Sequence, residues 1–200
     1  MSYPIRHISY SCLSLWDNCS WCWRERYINH RKPIESEAFR EGKLRHDEVD
    51  KYHKGQEYDR ELIRPYTDKY EPNYREVSEV KFLMPLFGLA IPFLGYIDGW
   101  RNGELVDLKY SKQVPSLKEN IQGILYSTVY KHNHGHFPIF TINHWNKITN
   151  EVKNHSTVYN NNDVLWLQTK IVKFFSDISG KFDLMGNPYY PFHYDDCPFK

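Results

Sequence analysis

The alternation of apolar and polar residues is clearest on either side of the dipeptide Asn102-Gly103. One run extends from Gly88 to Trp100, and the other extends from Glu104 to Tyr110. An Asn-Gly connection between alternating runs is typical of a β-hairpin with a type I′ turn, in which both central residues take positive φ. The turn sets the register of the two strands and predicts that Asp98 faces Asp107.

Each face of this hairpin has its own chemistry. Lys109 follows Asp107 by two residues and therefore lies on the acidic face. Ile97, Val106 and Leu108 form an apolar face that suits a hydrophobic core. Like charges that face each other destabilise a strand pair, so a fold that keeps both aspartates is expected to place a cation between them.

Two acids with a nearby lysine suit the cleavage of phosphodiesters. Carboxylate oxygens are preferred ligands of Mg²⁺ and Mn²⁺. Such a metal generates hydroxide and neutralises developing charge, while a lysine orients the water or stabilises the transition state. The alternative is a surface hairpin with scattered charges, because Asp-x-Lys is common on solvated strands.

The remaining pattern predicts an α/β fold with a mixed sheet, because helices precede three strands, and a helix, two strands and a helix follow. The chain is expected to form a single domain, residues 1–200, with N-terminal helices in 8–53, a catalytic core in 76–179 and a C-terminal tail in 180–200. Helices are predicted from Ser9 or Ser11 to Trp16, Trp23 to Ile28, Glu35 to Tyr52, Ser116 to His132 and Asp163 to Ile178, and further strands over Glu76 to Leu83, Phe137 to Trp145 and Val152 to Tyr159.

The helix after the hairpin has a predicted start and a polar-aromatic stripe. Ser116 is the expected N-cap, with Glu119 at the spacing of a capping box. For the last helix the expected cap is Asn161 or Asn162. The stripe consists of four residues that recur every four positions and therefore share one helix face: Lys118, Gln122, Tyr126 and Tyr130.

The composition is that of a globular protein, with 40% hydrophobic and 26% charged residues. The formal net charge is only +1, so a nucleic-acid surface would have to be a local groove. The chain has no run of 18 apolar residues and no positively flanked apolar N-terminus, so we expect no membrane association and a cytoplasmic location. Three N-terminal tryptophans, Trp16, Trp21 and Trp23, are candidates for base stacking, but helical spacing favours the core.

Six features occur in an order that covers nearly the whole chain: a Ser-Tyr-Ser helix that ends at Cys19, Gly42 with His46, Glu79, Gly95-Tyr-Ile-Asp98, Val106-Asp-Leu-Lys109 and Gln122-x-x-x-Tyr126. Together they resemble a RecB-type nuclease of the PD-(D/E)XK superfamily. That group includes the CRISPR-associated exonucleases of the Cas-four type, the AddB nuclease domain, and phage and mitochondrial exonucleases. The resemblance implies a restriction-endonuclease-like α/β core with a central mixed sheet flanked by helices.

The resemblance also implies a set of site residues. It implies a Mg²⁺ or Mn²⁺ site held by His46, Asp98, Asp107 and the Leu108 carbonyl. Lys109 would assist the attack, and Gln122 and Tyr126 would line the active site and contact the DNA or the catalytic groups. Glu79 is a candidate for a second metal or its water shell, and a salt bridge on the strand is the alternative reading.

The four cysteines of the chain are Cys12, Cys19, Cys22 and Cys197. Relatives with an iron–sulfur cluster have one early and three late cysteines, whereas this chain has three early and one late. Four thiolates in a reducing compartment favour a metal over disulfides, and Cys-x-x-Cys is a metal-like spacing. A [4Fe-4S] cluster, a structural zinc and packed thiols without a metal are the alternatives.

The expected function is therefore a metal-dependent DNA nuclease in a bacterial or phage-infected cell. Its expected activity is that of an exonuclease on single-stranded DNA or DNA ends, in recombination, repair or phage DNA metabolism. DNA is the expected ligand, and recombination or CRISPR-adaptation proteins are the expected partners. The alternative is a non-catalytic DNA-end-binding or assembly subunit, but such members usually lose the aspartate or the lysine, and this chain keeps Asp107 and Lys109.

Overall fold

The computed structural model describes residues 5–72, 77–89, 91–101 and 103–179. The predicted tail, 180–200, lies outside these residues. No helix in the described ranges has the length and apolar character needed to cross a membrane. The elements are α1 (Tyr10–Asn18), α2 (Ser20–Tyr27), α3 (Glu37–His53), α4 (Arg60–Thr67), β1 (Val77–Met84), β2 (Phe93–Arg101), β3 (Glu104–Ser111), α5 (Ile121–His134), β4 (Ile139–Asn146), β5 (Val152–Val158) and α6 (Asn161–Ser179).

The strands form a five-stranded sheet in the order β1-β2-β3-β4-β5. Strands β3 and β4 are parallel, and the other neighbours are antiparallel. The parallel pair requires a long connection, which α5 supplies. The predicted α/β fold, with a central mixed sheet flanked by helices, is therefore confirmed.

Two hydrophobic clusters of described residues pack against the sheet. The larger cluster joins α1, α2, α5 and α6 to the sheet, and the smaller joins α3 and α4 to β3, β4 and β5. Trp16 and Trp23 belong to the larger cluster, where their rings meet the Phe174 ring edge-on at 5.4 and 5.5 Å. The core role favoured by helical spacing is therefore confirmed for these two tryptophans.

The N-cap of α1 is Ser9, whose hydroxyl accepts from the Cys12 N–H at 3.1 Å, as one of the two predicted starts requires.

The predicted start of α5 is wrong. Glu119 has a φ of 57° and is not helical, and the Asn120 side chain caps the helix by accepting from the Gly123 N–H at 2.8 Å. Lys118 therefore precedes the helix and does not share the stripe of Gln122, Tyr126 and Tyr130.

The cap of α6 lies before both of the predicted residues, Asn161 and Asn162. Asn160 accepts from the Asn162 N–H with its side chain, and the Asp163 carboxylate accepts from the Asn160 N–H, each at 2.8 Å. The bond from the Asn160 N–H to Asp163 is one half of a capping box, and both bonds satisfy backbone donors at the start of the helix. Asn161 instead accepts a bond from Lys131.

Two helical glycines provide a matched test of the packing, because alanine should have opposite effects at the two positions. A Cβ at Gly123 would lie 2.5 Å from the Tyr159 hydroxyl and 2.8 Å from Phe140, so Gly123→Ala is expected to lower the free energy of unfolding by about 1–3 kcal/mol. A Cβ at Gly42 meets nothing within 4 Å, so Gly42→Ala is expected to raise it by about 0.5–1 kcal/mol. Urea unfolding measures both, and a change of the same sign at the two positions would contradict this packing.

Candidate active site

The candidate site lies where β2 and β3 separate. The predicted pairs Arg101↔Glu104, Trp100↔Leu105 and Gly99↔Val106 are all present. Gly103 has a φ of 74°, as the predicted turn requires, and Asn102 lies outside the described residues. Among the described residues the ladder stops at Gly99 and Val106, while β2 continues along β1 and β3 continues along β4. We call this opening the fork.

Asp98 and Asp107 are therefore not a ladder pair, and this part of the prediction is wrong. The Asp98 side chain bridges the fork instead, because its Oδ2 accepts from the backbone N–H of Leu108 at 2.8 Å. A side-chain carboxylate thus takes the place of the next strand-to-strand bond. Both acids remain at the fork, one from each strand.

The fork also overturns the predicted single apolar face. Ile97 packs in the cluster of α1, α5 and α6, whereas Leu108 packs in the cluster of α3 and α4. Simple alternation assumes two strands that stay paired, and β2 leaves β3 between these positions. The hydrophobic residues of the two strands consequently support opposite sides of the sheet.

Asp107 is the most buried acid of the site, with 2% of its side chain exposed. The Lys109 ammonium lies 2.9 Å from Oδ2 and 3.1 Å from Oδ1, and the Gln122 amide donates to Oδ1 at 2.7 Å. Oδ2 makes no well-aligned hydrogen bond with any described group. Burial raises the pKa of Asp107, with the Asp98 charge adding to this effect and Lys109 opposing it.

Lys109 supplies the cation that two neighbouring acids were expected to require. Burial alone would lower the pKa of its ammonium, but the carboxylates of Asp107 and Asp98 outweigh burial and raise the pKa. The side chain therefore remains a cation at neutral pH. Such a group can donate hydrogen bonds and stabilise negative charge.

His46 reaches the fork from α3. Its Nδ1 lies 3.7 Å from Asp98 Oδ2, and the two side chains are 34% and 23% exposed. The structure thus brings His46 and Asp98 together, although they are 52 residues apart in the sequence. The imidazole faces the outer, more accessible side of the site, whereas Asp107 lies at its buried end.

Arg45, the neighbour of His46, holds α3 in place and was not recognised from the sequence. Its guanidinium lies over the rings of Tyr110 and Trp145 at 4.5 and 4.6 Å, and it donates to the Leu62 carbonyl at 2.6 Å. Cation–π contacts of this kind stabilise partly buried arginines. Local spacing carries no signal of this network, because its members come from α3, α4, β3 and β4.

Gln122 and Tyr126 line the fork from α5. The Gln122 amide that contacts Asp107 lies 3.4 Å from the Tyr126 hydroxyl, and both side chains are buried. Tyr126 meets the Phe82 ring edge-on at 5.6 Å. Gly95 leaves room for this pair, because a Cβ there would overlap the Phe82 ring and lie 3.1 Å from Tyr126.

Glu79 forms the salt bridge that was the alternative to a metal role. Its carboxylate lies 3.7 Å from the Lys54 ammonium, and 58% of its side chain is exposed. The residue has a φ of 56°, and its neighbours Ser78 and Val80 pair with β2 on either side of it. A role for Glu79 at a second metal stays a prediction.

The chemical types of the side chains at the fork suit a hard divalent cation. Two carboxylates and an imidazole meet there, and Asp107 Oδ2 is a buried oxygen without a well-aligned hydrogen-bond donor among the described groups. The Leu108 carbonyl follows Asp107 on β3. Within the described ranges, no three His, Cys, Asp or Glu side chains are close enough together to hold a metal ion directly. The predicted metal site therefore stays a prediction.

The described cysteines lie in the N-terminal helices. Cys12 is buried and accepts from the Trp23 indole N–H at 3.2 Å, and burial raises the pKa of its thiol to about 11. The Cys19 sulfur caps α2 by accepting from the Cys22 N–H at 3.0 Å. Cys197 lies outside the described residues, so a shared [4Fe-4S] or zinc site stays a prediction.

The fold is similar to that of a solved structure. A Eubacterium rectale protein named "Putative exonuclease" matches with a TM-score of 0.63 and 18% sequence identity, over 88% of this chain and 82% of that chain. No protein-family model and no curated protein matches the sequence. At this identity the likeness shows a shared α/β fold.

Proposed function

We propose that this chain is a metal-dependent DNA nuclease of the RecB type in the PD-(D/E)XK superfamily. The observation that supports this proposal most strongly is the arrangement at the fork, where the buried Asp107 contacts Lys109 and Gln122 beside the Asp98–His46 pair. The similarity in fold to a protein named as an exonuclease supports the same reading. The proposed activity is exonucleolytic, on single-stranded DNA or DNA ends, in recombination, repair or phage DNA metabolism.

In this proposal His46, Asp98, Asp107 and the Leu108 carbonyl hold Mg²⁺ or Mn²⁺. When bound, the ion supplies a hydroxide nucleophile and neutralises negative charge on the phosphate. Asp98 is already oriented by its bond to the Leu108 N–H. Gln122 orients Asp107 by donating to Oδ1, which leaves Oδ2 directed away from that donor.

Lys109 and Tyr126 act on the phosphate or the attacking water. The Lys109 side chain is 27% exposed, so its cation can reach a bound strand while its stem stays buried. A preorganised cation in a water-poor site stabilises charge far better than one in bulk water. Tyr126, a residue that is 5% exposed, adds a hydroxyl donor at the buried end.

A non-catalytic DNA-end-binding subunit is the second candidate. Two observations favour it: the Lys109 ammonium already pairs with Asp107 at 2.9 Å, and no three His, Cys, Asp or Glu side chains of the described residues are close enough together to hold a metal ion directly. We favour the enzyme, because a binding protein has no need to retain a buried carboxylate beside a lysine at some cost in desolvation.

A labelled-strand assay tests the proposed function. The same single strand, labelled at its 5′ or its 3′ end, is incubated with protein and Mn²⁺ or with EDTA, and a circular strand serves as the control for free ends. An exonuclease is expected to degrade the linear strands only with Mn²⁺ and to spare the circle. DNA binding without metal-dependent cleavage would replace the enzyme by the end-binding subunit, and cleavage of the circle would replace the exonuclease by an endonuclease.

Removal of one hydroxyl tests the placement of Tyr126. Tyr126→Phe is expected to reduce turnover about tenfold while the free energy of unfolding changes by about 1 kcal/mol or less, because only a weak 3.4 Å bond to Gln122 is lost. Tyr70→Phe is a matched control, since its hydroxyl bonds Asn154 away from the fork. Equal turnover in wild type and Tyr126→Phe would remove this hydroxyl from the chemistry.

A further inference from the structure

A cluster of aromatic and imidazole rings lies next to the fork, at the end of the hairpin. It is formed by Trp100 of β2, Tyr130 and His134 of α5, and His136 after the helix, and we call it the ring platform. The Tyr130 and His134 rings are stacked, with 4.1 Å between their centroids and an interplanar angle of 25°. Trp100 stands edge-on to both, at 6.3 and 6.0 Å.

The backbone builds this platform from separate elements. Gly135 takes a φ of 82° and ends α5, so that the chain returns and His136 meets the Tyr130 ring at 5.6 Å. A Cβ at Gly103 would lie 3.6 Å from the Tyr130 hydroxyl, which places that ring beside the hairpin turn. Trp100 and Tyr130 are half-buried, whereas His134 and His136 are exposed.

The platform continues the surface of the candidate active site. Tyr130 lies one helical turn after Tyr126 on the same face of α5, and His134 lies one turn further, each turn adding about 6 Å. Trp100 follows Asp98 by two strand residues, or about 7 Å. A nucleic-acid strand with its phosphate at the fork would therefore place a neighbouring nucleotide at the platform.

We propose that the ring platform binds an unpaired nucleobase of the DNA strand whose phosphate lies at the fork. This rests on the proposed function for the identity of the ligand. Every base has a flat π face, and stacking on aromatic side chains is the usual way to hold single strands without reading sequence. Bases in a duplex have their faces covered by their neighbours, so the platform selects single-stranded DNA or a frayed end.

The surrounding charges suit this ligand. Lys131 lies in the last turn of α5, and Arg101 follows Trp100 on β2. Lys131 is a cation at the negative end of the helix dipole, and both side chains can contact phosphates beside the stacked base. The carboxylate of Glu104, on the facing strand of the hairpin, lies 3.8 Å from the Arg101 guanidinium and accepts a hydrogen bond from the Thr141 hydroxyl.

The alternative role of the Tyr130–His134 stack is to stabilise α5 without binding a base. Binding measurements on intact and abasic strands distinguish these two roles. Binding of fluorescent single strands is measured in EDTA, with an abasic residue placed at successive positions along the strand. For the wild type, one position is expected to weaken binding about tenfold, since stacking is worth about 1–3 kcal/mol per base. His134→Ala is expected to weaken binding of the intact strand by a similar factor and to become insensitive to the abasic residue.

His132→Ala is the matched control, because it removes an exposed imidazole one half-turn away from the stack and is expected to retain the abasic effect. Trp100→Leu, if folded, should behave like His134→Ala. Equal losses for His134→Ala on intact and abasic strands, or equal binding of duplex and single strand, would overturn the proposal. If the wild type shows the abasic effect but does not cleave DNA in the presence of Mn²⁺, the proposed enzyme is refuted and the base-binding role of the platform is retained.

Discussion

Replacement of Asp107 by asparagine is expected to lower metal-dependent cleavage by on the order of 10³-fold, equivalent to ~4 kcal/mol of transition-state stabilisation. Asparagine keeps the size of the side chain, but it cannot neutralise a divalent cation. Mn²⁺ affinity, measured by calorimetry, should fall in parallel with turnover. Asp98 and His46 would remain, and one carboxylate with one imidazole holds a hard cation weakly.

The variant is expected to fold, because Lys109 is 27% exposed and keeps the Asp98 charge nearby. Asp47→Asn is the matched control, since Asp47 is exposed on α3. Circular dichroism establishes that both variants are folded before activities are compared. Full activity of a folded Asp107→Asn protein at saturating Mn²⁺ would exclude Asp107 from the proposed mechanism.

Replacement of Lys109 by methionine is expected to lower turnover by about 10²–10³-fold, the usual cost of removing one preorganised donor from a transition state. Methionine retains most of the buried stem and removes the cation. Mn²⁺ affinity should be preserved or increased, because Asp107 no longer contacts the ammonium and Asp98 no longer lies in the field of its charge. The pair of variants therefore separates metal binding, lost in Asp107→Asn, from chemistry, lost in both.

Lys153→Met controls for the loss of a strand lysine, since Lys153 is 65% exposed and pairs with Glu151 on β5. Its activity should match that of the wild type. If Lys109→Met and Lys153→Met cleave DNA at the same rate, Lys109 has no part in the reaction. A parallel loss of Mn²⁺ binding in Lys109→Met would reduce the lysine to a structural support for Asp107.

Sequence-based prediction succeeded where the signal was local. The Asn-Gly turn predicted the three pairs from Gly99–Val106 to Arg101–Glu104, because a two-residue loop fixes strand register. The i, i+4 spacing of Gln122 and Tyr126 correctly placed both on one face of α5. Helix starts were less certain, since several polar residues near each start could cap it, and Asn120 and Asn160 took that position.

The sequence by itself determined the order of helices and strands, the hairpin register near its turn and the residue types of the candidate site, because periodicity and turn chemistry act between near neighbours. Only the tertiary structure decided where β2 leaves β3, which places Asp98 against the Leu108 N–H instead of opposite Asp107. It also decided the contacts of Arg45 with the β3 and β4 rings and the assembly of the ring platform around Tyr130. These features depend on packing between elements distant in the chain, where burial and ring geometry outweigh local spacing.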